Sequence, residues 1–218
     1  MTAKIKLNAA SGGGSISIQA PSSSSNNRVI SLPDIADGTL VTSESTLDST
    51  KLSPAIAAGI TEADIWRIDT DFDQQAAADI TSNWARATFA SGALHGYKGT
   101  GMTESSGIFT FPSTGYWYIN ARLGYHARTG VSSGVGLYLK GTSNNSSYFD
   151  LATAWDTAVF QSGYYEWGHM NLSTIIDVTS TTNCKVKFAC EAGNNQVKFY
   201  STAGGHNNNF IFLRLGDT

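Results

Sequence analysis

From about residue 66 onward, the sequence is a succession of short segments in which apolar and polar side chains alternate, separated by turns rich in Gly, Ser and Asn. Successive side chains of a β-strand point to opposite faces, so this alternation predicts strands with one buried face. The segment 116–125 is the clearest case: Asn120 and Arg122 lie on one face, and the other carries Trp117, Ile119, Ala121, Leu123 and Tyr125. About ten such segments in roughly 150 residues predict an all-β, antiparallel β-sandwich.

The segments predicted as strands are residues 65–71, 84–89, 107–111, 115–126, 135–140, 148–152, 165–178, 185–190, 197–200 and 209–215. The last of them has apolar side chains on both faces, because Phe210, Phe212 and Leu215 are joined by Ile211 and Leu213. This predicts a strand buried on both faces. A domain of about 150 residues buries enough of its chain surface to fold alone. Residues 66–218 are therefore predicted to form one head domain.

Residues 1–42 differ from the rest because apolar pairs alternate with turn-forming residues. The first two pairs, Ile5/Leu7 and Ile16/Ile18, and those that follow each predict a strand of about three to five residues. Strands this short bury too little apolar surface to offset the entropy lost on ordering. The segment is then either disordered or completed by another chain, and the repeated strands favour the second option. We predict an extended arm, either an intertwined trimeric stalk or a strap on a larger assembly.

Residues 43–65 are predicted to connect the arm to the head through short helical turns. Their apolar side chains recur every four or five residues, close to a helical stripe: Leu47, Leu52, Ile56, Ile60 and Ile65. Ser53 and Pro54 are typical of a helix start and Gly59 of its end. A second turn is predicted to begin at Thr61, with Asp64 as its capping partner. The simpler interpretation is a linker containing two helical turns.

Charge and composition exclude several partner classes. Charged residues make up 14% of the chain and the net charge is −3, so no basic surface is predicted for nucleic acid or anionic lipid. Lys4 and Lys6 are followed by Gly and Ser where a signal peptide needs an apolar stretch. The most apolar helical candidate, residues 55–60, is too short to span a bilayer. We expect a soluble protein made in a cytoplasm, without membrane insertion.

The two cysteines, Cys184 and Cys190, are predicted to be reduced core residues. They lie on one face of a predicted strand, about 20 Å apart. A disulfide requires Cα atoms within about 7 Å, so the two cannot bond each other. No partner pair at zinc-ligand spacing accompanies them.

No catalytic residue, metal site or cofactor site is predicted. Asp69, Asp71 and Asp73 alternate as in a calcium loop, but the required Gly is absent and the twelfth position is Ile80. The histidines are scattered and are interpreted as turn or surface residues: His95, His126, His169 and His206. A depolymerase would need a pair of acidic side chains, and no pairing is visible among Glu104, Glu166 and Glu191. We expect a non-enzymatic protein.

Aromatic residues beside polar turns allow two interpretations. Tyr164, Tyr165 and Trp167 lie next to glycines, and Tyr148 and Trp155 lie near an Asn-rich loop. The simpler interpretation places them in the sandwich core or a trimer interface. The alternative is a sugar-stacking surface, because aromatic faces flanked by Asn and Asp suit carbohydrate C–H faces and hydroxyls.

The head resembles a known superfamily. The run from Gly107 through Phe109, Pro112 and Gly115 into the aromatic residues 116–118 is similar to the complement globular-head and tumour-necrosis-factor superfamily. Residues 173–191 resemble the pair of strands near the end of that fold, with residues 181–183 in place of its Gly-Asp turn, and residues 210–215 resemble its closing strand. This resemblance of residues 66–218 implies a jelly-roll head and a homotrimer.

The arm resembles something else. Residues 4–42, with their Gly12–14 and Pro33-Asp34 turns, are similar to the leader of fibre-type virion proteins of phages, especially those of marine bacteria. This resemblance implies a virion location, with assembly in the cytoplasm of the host bacterium. The arm would bind another virion protein of the capsid or tail. The head would project outward, with a host-surface glycan or protein as its candidate ligand.

Three functions are compared on this basis. The first is a trimeric fibre or spike with a host-attachment role. The second is a capsid decoration protein that reinforces the shell, which the small size of the chain favours. The third, a depolymerase, lacks a visible acidic pair.

Overall fold

The structure, a computed structural model of the 218-residue chain, describes residues 4–8, 10–19, 59–87, 96–128, 133–160, 167–193, 197–201 and 207–218. The chain divides into two units, Met1–Leu52 and Ser53–Thr218. The narrower boundaries proposed from the sequence, at residues 42 and 65, stay predictions.

In the first unit, the two earliest apolar pairs form a β-hairpin. Strand β1 (Lys4–Asn8) pairs antiparallel with β2 (Ser15–Gln19), with Ile5 opposite Ile18 and Leu7 opposite Ile16. Gly12 and Gly13, at φ values of 84° and 72°, allow the chain to reverse between them. The two predicted strands are confirmed, and the other predicted arm strands lie outside the described residues.

The described residues of the second unit form twelve strands in two sheets. They are β3 (Ala63–Ile68), β4 (Ala78–Asp79), β5 (Trp84–Arg86), β6 (Thr103–Ser105), β7 (Ile108–Thr110), β8 (Gly115–Ala127), β9 (Ser133–Thr142), β10 (Phe149–Ala158), β11 (Trp167–Val178), β12 (Lys185–Ala192), β13 (Val197–Phe199) and β14 (Asn209–Gly216). Sheet I has the order β10-β9-β12-β7-β6, with β4 also paired to β12. Sheet II has the order β11-β8-β14-β3-β5, with β13 also paired to β8. Every pairing is antiparallel, which confirms the predicted antiparallel sandwich.

The core lies between the inner faces of the two sheets. On β8 the predicted apolar face is fully inside, with Trp117, Ile119, Ala121 and Leu123 at 0% exposure. Aromatic rings fill the space between the sheets, and Phe109 of sheet I meets Trp84 of sheet II edge to face at 4.8 Å. The period-two alternation of the sequence therefore corresponds to the inside and outside of a sandwich.

Strand β14 lies in the middle of sheet II, between β8 and β3. Phe210 and Phe212 are completely buried in the core. Ile211 and Leu213 are only half-buried on the outer face, and Leu215 is 53% exposed beyond a register shift between Arg214 and Gly216. The prediction that both faces of this strand are buried is therefore correct for one face only.

The helical turn predicted at the end of the connector is not present. Instead of a helical turn from Thr61, Asp64 belongs to strand β3, and its carboxylate accepts the backbone N–H of Ile65 at 2.9 Å. No residue in the described ranges is helical. Residues 43–58, which include the predicted helix start at Ser53 and Pro54, lie outside them. The described ranges also contain no helix of a length and apolarity that would cross a membrane.

Two glycines allow close contacts at the start of β7 and of β8. Gly107 has a φ of 82°, and a Cβ there would lie 2.2 Å from the backbone oxygen of Ile80. Gly115 has a φ of 129°, and a Cβ would lie 2.2 Å from the oxygen of Gly216. Both positions require glycine because backbone from another part of the chain occupies the space.

Candidate binding surfaces

The alternating aspartates do not converge on one point. Asp69 pairs with Arg67 at 3.0 Å, Asp71 with Lys198 at 3.1 Å and Asp73 with Arg128 at 2.8 Å. Each carboxylate thus neutralises a different cation. Among the residues that the structure describes, no three metal-ligating side chains come together.

The other acidic candidates also have separate structural partners. Glu104 accepts the backbone N–H of Gly107 at 2.7 Å, and Glu191 accepts the hydroxyl of Tyr138 at 2.7 Å. Glu166 lies outside the described residues. The structure therefore does not bring Glu104 and Glu191 into a pair.

Two of the four histidines are described, and both lie in or beside strands of sheet II rather than in turns. His126 is 9% exposed on β8, so its interpretation as a turn or surface residue is wrong. Its ring stacks on Trp167 at 4.6 Å. Burial, and then the charge of Arg128, lowers the pKa of His126; burial, and then Arg122, lowers the pKa of His169. His95 and His206 lie outside the described residues.

Both cysteines are free and buried, which confirms that they are reduced core residues. Cys184 is 5% and Cys190 0% exposed. Burial raises the pKa of the Cys190 thiol, so its reactive thiolate form is disfavoured.

The two exposed tryptophans among the aromatic candidates lie on different sheets. Trp155 on β10 is 61% exposed and Trp167 on β11 is 51% exposed, so neither lies in the sandwich core, and their place in a trimer interface stays a prediction. They belong to different sheets. Tyr148 holds the ammonium of Lys187 over its ring at 4.2 Å. Tyr164 and Tyr165 lie outside the described residues.

The surroundings of Trp155 form a small platform on the outer face of sheet I, which we call the Trp155 platform (Trp155, Tyr138 and Glu191). The register places Trp155 opposite Gly136 of β9, and Gly136 opposite Glu191 of β12. The ring of Tyr138 meets that of Trp155 edge to face, with centroids 5.6 Å apart. Burial, and then the hydrogen bond to Glu191, raises the pKa of Tyr138, so its hydroxyl stays a donor.

The outer face of sheet II carries a row of apolar side chains. Ile175 of β11 and Leu213 of β14 both pair with Tyr118 of β8, and Ile65 of β3 pairs with Ile211. Ile175 is 58% exposed and the others are half-buried. These five side chains extend across four neighbouring strands, a continuity that the sequence did not reveal because each strand contributes only one or two of them.

A second apolar surface lies where the edge strands of the two sheets, β10 and β11, approach each other. This edge groove encloses about 180 Å³ and is lined in part by Gly141, Phe149, Leu151, Ile176, Cys184 and Val186. Phe149 is 67% and Leu151 40% exposed. Strand β11 contributes to both surfaces, because Ile175 points to the outer face and Ile176 to the groove.

Two solved structures have a similar arrangement. The crystal structure of murine APRIL gives a TM-score of 0.50 at 10% identity, covering 71% of this chain and 98% of that chain. The structure of Eiger TNF from S. frugiperda gives a TM-score of 0.50 at 11% identity, covering 74% of this chain and 96% of that chain. No protein-family model and no curated protein sequence matches the chain.

At such identities the likeness is one of fold. The second unit is a tumour-necrosis-factor-like jelly roll, which confirms the fold expected from the resemblance of residues 66–218. The resemblance of residues 4–42 to phage leaders stays a prediction.

Proposed function

We propose that this chain is a non-enzymatic homotrimeric virion appendage whose jelly-roll heads associate through the outer face of sheet II. The observation that carries the proposal is the apolar row Ile65, Tyr118, Ile175, Ile211 and Leu213, which crosses four neighbouring strands on the outer face of sheet II. Exposed apolar patches of this kind are typical of protein–protein interfaces.

The edge groove supplies a second surface for the same contact. An interface between two different patches is heterologous, and repeating it by rotation closes a ring. We propose that the β10–β11 edge of one protomer, with Phe149 and Leu151, packs against the outer face of sheet II of the next. A ring of three is the number implied by the superfamily that the head resembles.

The arm carries the virion part of the proposal. The β1–β2 hairpin leaves Leu7 60% exposed, which suits a segment that another protein completes. Together with the leader-like sequence of residues 4–42, this favours an anchor on a capsid or tail protein, with assembly in the cytoplasm of a bacterial host. A non-enzymatic role agrees with the five described carboxylates that were the candidates for chemistry, because each of them holds a structural partner.

Two measurements test the proposal. Light scattering coupled to size exclusion is expected to give three times the 23.2 kDa mass of one chain. A monomer would contradict the trimer. Quantitative mass spectrometry of purified phage particles is expected to find the chain at far fewer copies than the major capsid protein. A copy number comparable to that of the capsid protein would instead make it a decoration protein, and absence from the particles would contradict any virion role.

A further inference from the structure

We propose that the Trp155 platform binds neutral saccharides by stacking a sugar ring on the exposed indole. The inference goes beyond the proposed appendage role, because assembly and anchoring do not require a ligand on sheet I. It is also independent of that role, since the platform lies within a single protomer and on the outer face of sheet I, whereas the proposed contact uses Phe149 and Leu151 at the edge of that sheet.

The indole of Trp155 is exposed yet held in position. Its side chain is 61% exposed, and the Tyr138 ring contacts it edge to face at an interplanar angle of 83°. Such an edge-to-face contact favours one orientation of the two rings. A large apolar ring left in water gains none of the stabilisation that burial would give. Its neighbours on the same face of β10, Thr153 and Thr157, are also exposed.

The sheet surface beside the indole is open. Gly134 lies diagonally across from Trp155 on the neighbouring strand, and a Cβ at that position would meet no other atom within 4 Å. At Gly136, directly opposite, a Cβ would lie 3.1 Å from the hydroxyl of Tyr138 and 3.3 Å from Cγ of Glu191. Gly134 therefore leaves open space on one side of Trp155. Gly136 leaves room on the other side for the Tyr138 hydroxyl and the Glu191 side chain.

The polar groups beside the ring suit hydroxyls. The Tyr138 hydroxyl donates to Oε1 of Glu191 at 2.7 Å, which leaves Oε2 without a protein donor among the residues that the structure describes. A carboxylate oxygen of this kind accepts hydrogen bonds from sugar hydroxyls. The ammonium of Lys140 lies over the Tyr138 ring at 5.5 Å, and it already pairs with Asp150 at 3.0 Å.

Charge decides between sugar classes. An anionic sugar would place its carboxylate or sulfate near Glu191 without an unpaired cation to offset the repulsion. A neutral hexose or N-acetylhexosamine presents an apolar C–H face to the indole and hydroxyls to Glu191. Protein partners fit less well, because apart from Tyr138 the register neighbours of the indole are glycines and threonines rather than further apolar side chains.

The test uses the fluorescently labelled full chain on a glycan array that contains both neutral and acidic bacterial oligosaccharides. The neutral oligosaccharide bound best is then titrated calorimetrically against the wild type, Trp155→Ala, Trp155→Phe and Trp167→Ala. We expect Trp155→Ala to weaken binding by about tenfold or more, which is the loss of one stacked ring. Trp155→Phe is expected to retain most of the affinity. The control Trp167→Ala removes a comparably exposed indole from sheet II and is expected to bind as the wild type does.

Several results would overturn the inference. They are binding of no neutral glycan, binding of acidic glycans alone, or an equal loss in Trp167→Ala and Trp155→Ala. A Trp155→Ala chain of lower oligomeric mass would also overturn it, because the indole would then serve assembly. A wild-type monomer that still binds neutral glycans through Trp155 would contradict the proposed trimer and leave this inference intact.

Discussion

Arg86 and Asp64 form an ion pair at one end of sheet II, with Nη2 of the arginine 2.9 Å from Oδ2 of the aspartate. The carboxylate is only 1% exposed and also accepts N–H bonds from the indole of Trp66 and from the backbone of Met102. The guanidinium lies over the rings of Trp66 and Tyr97, at 4.9 and 4.4 Å. The pair therefore connects β3, β5 and the segment that leads into β6.

Removing the arginine leaves a carboxylate buried without its countercharge. We expect Arg86→Ala to lower the free energy of unfolding by about 3–5 kcal/mol, as is usual for a broken buried pair. Arg128→Ala is the matched control, because its pair with Asp73 is largely exposed and contributes below about 1 kcal/mol. Urea unfolding at one fixed protein concentration measures both, and equal losses would show that burial of Asp64 is not the cause.

A charge on the outer face of sheet II tests the proposed interface. We expect Ile175→Glu to convert the trimer to a monomer, because the carboxylate would have to be buried without a partner. Thr103→Glu adds the same charge to an exposed position of β6, at the edge of sheet I opposite to β10, and is expected to stay trimeric. Light scattering after size exclusion reads both masses, and a trimeric Ile175→Glu chain would contradict the proposed interface.

The turn before β7 depends on glycine. Gly107→Ala is expected to lower the free energy of unfolding by at least about 2 kcal/mol, since a Cβ in the left-handed region costs energy and would also contact the Ile80 oxygen. Gly216→Ala is the control, because a Cβ there meets nothing within 4 Å and its φ lies outside the left-handed region. In thermal melts, Gly107→Ala is expected to have a lower melting temperature than Gly216→Ala. Similar melting temperatures would contradict the clash.

Stability is expected to fall on mild acidification. Burial, and then Arg122, lowers the pKa of His169 below its usual 6.5, so below that pH the unfolded chain takes up a proton that the folded protein does not. The stabilisation is present above pH 6.5 and is lost as the pH falls toward the lowered pKa. Urea titrations at about pH 7.5 and about pH 5.5, a range above carboxylate titration, measure the change. His169→Gln is expected to show a smaller loss, and an unchanged loss would assign the effect to other groups.

Much of the head could be predicted from alternation alone. The inward face of β8 and the buried Phe210 and Phe212 follow from a period of two, because core side chains must be apolar along a half-buried strand. Strands β4 and β6 were missed since two or three residues carry no period. Strand β10 was predicted to end at residue 152 but continues to Ala158. Beyond residue 152 its inner face is mostly alanine and its outer face carries a single tryptophan between threonines, so the apolar alternation is weak there.

The prediction for the connector was wrong for a different reason. Thr61 and Asp64 have the spacing of a helix cap, but the same carboxylate stabilises a strand end once Arg86 and Trp66 reach it from elsewhere in the fold. Local spacing carries no information about such distant partners.

The surfaces were only partly predictable. The sequence selected Trp155 and Trp167 as aromatic candidates, and both prove exposed. It did not reveal that Tyr138 and Glu191 accompany Trp155, because residues from three strands meet there only through sheet register. The apolar row on sheet II was hidden for the same reason.

The central position of β14 has a consequence for synthesis. This strand follows every other strand of sheet II in the chain, yet Phe210 must lie between Ala121 of β8 and Trp66 of β3. On the ribosome, β3 and β8 are made well before the strand that joins them, at rates of about 5–20 residues per second. Until β14 emerges, neither can complete its backbone hydrogen bonds, and the aromatic interior faces water. Sheet II is thus completed by insertion of a late strand into a gap rather than by growth at an edge, and a nascent chain paused before residue 209 is expected to be the species that chaperones bind.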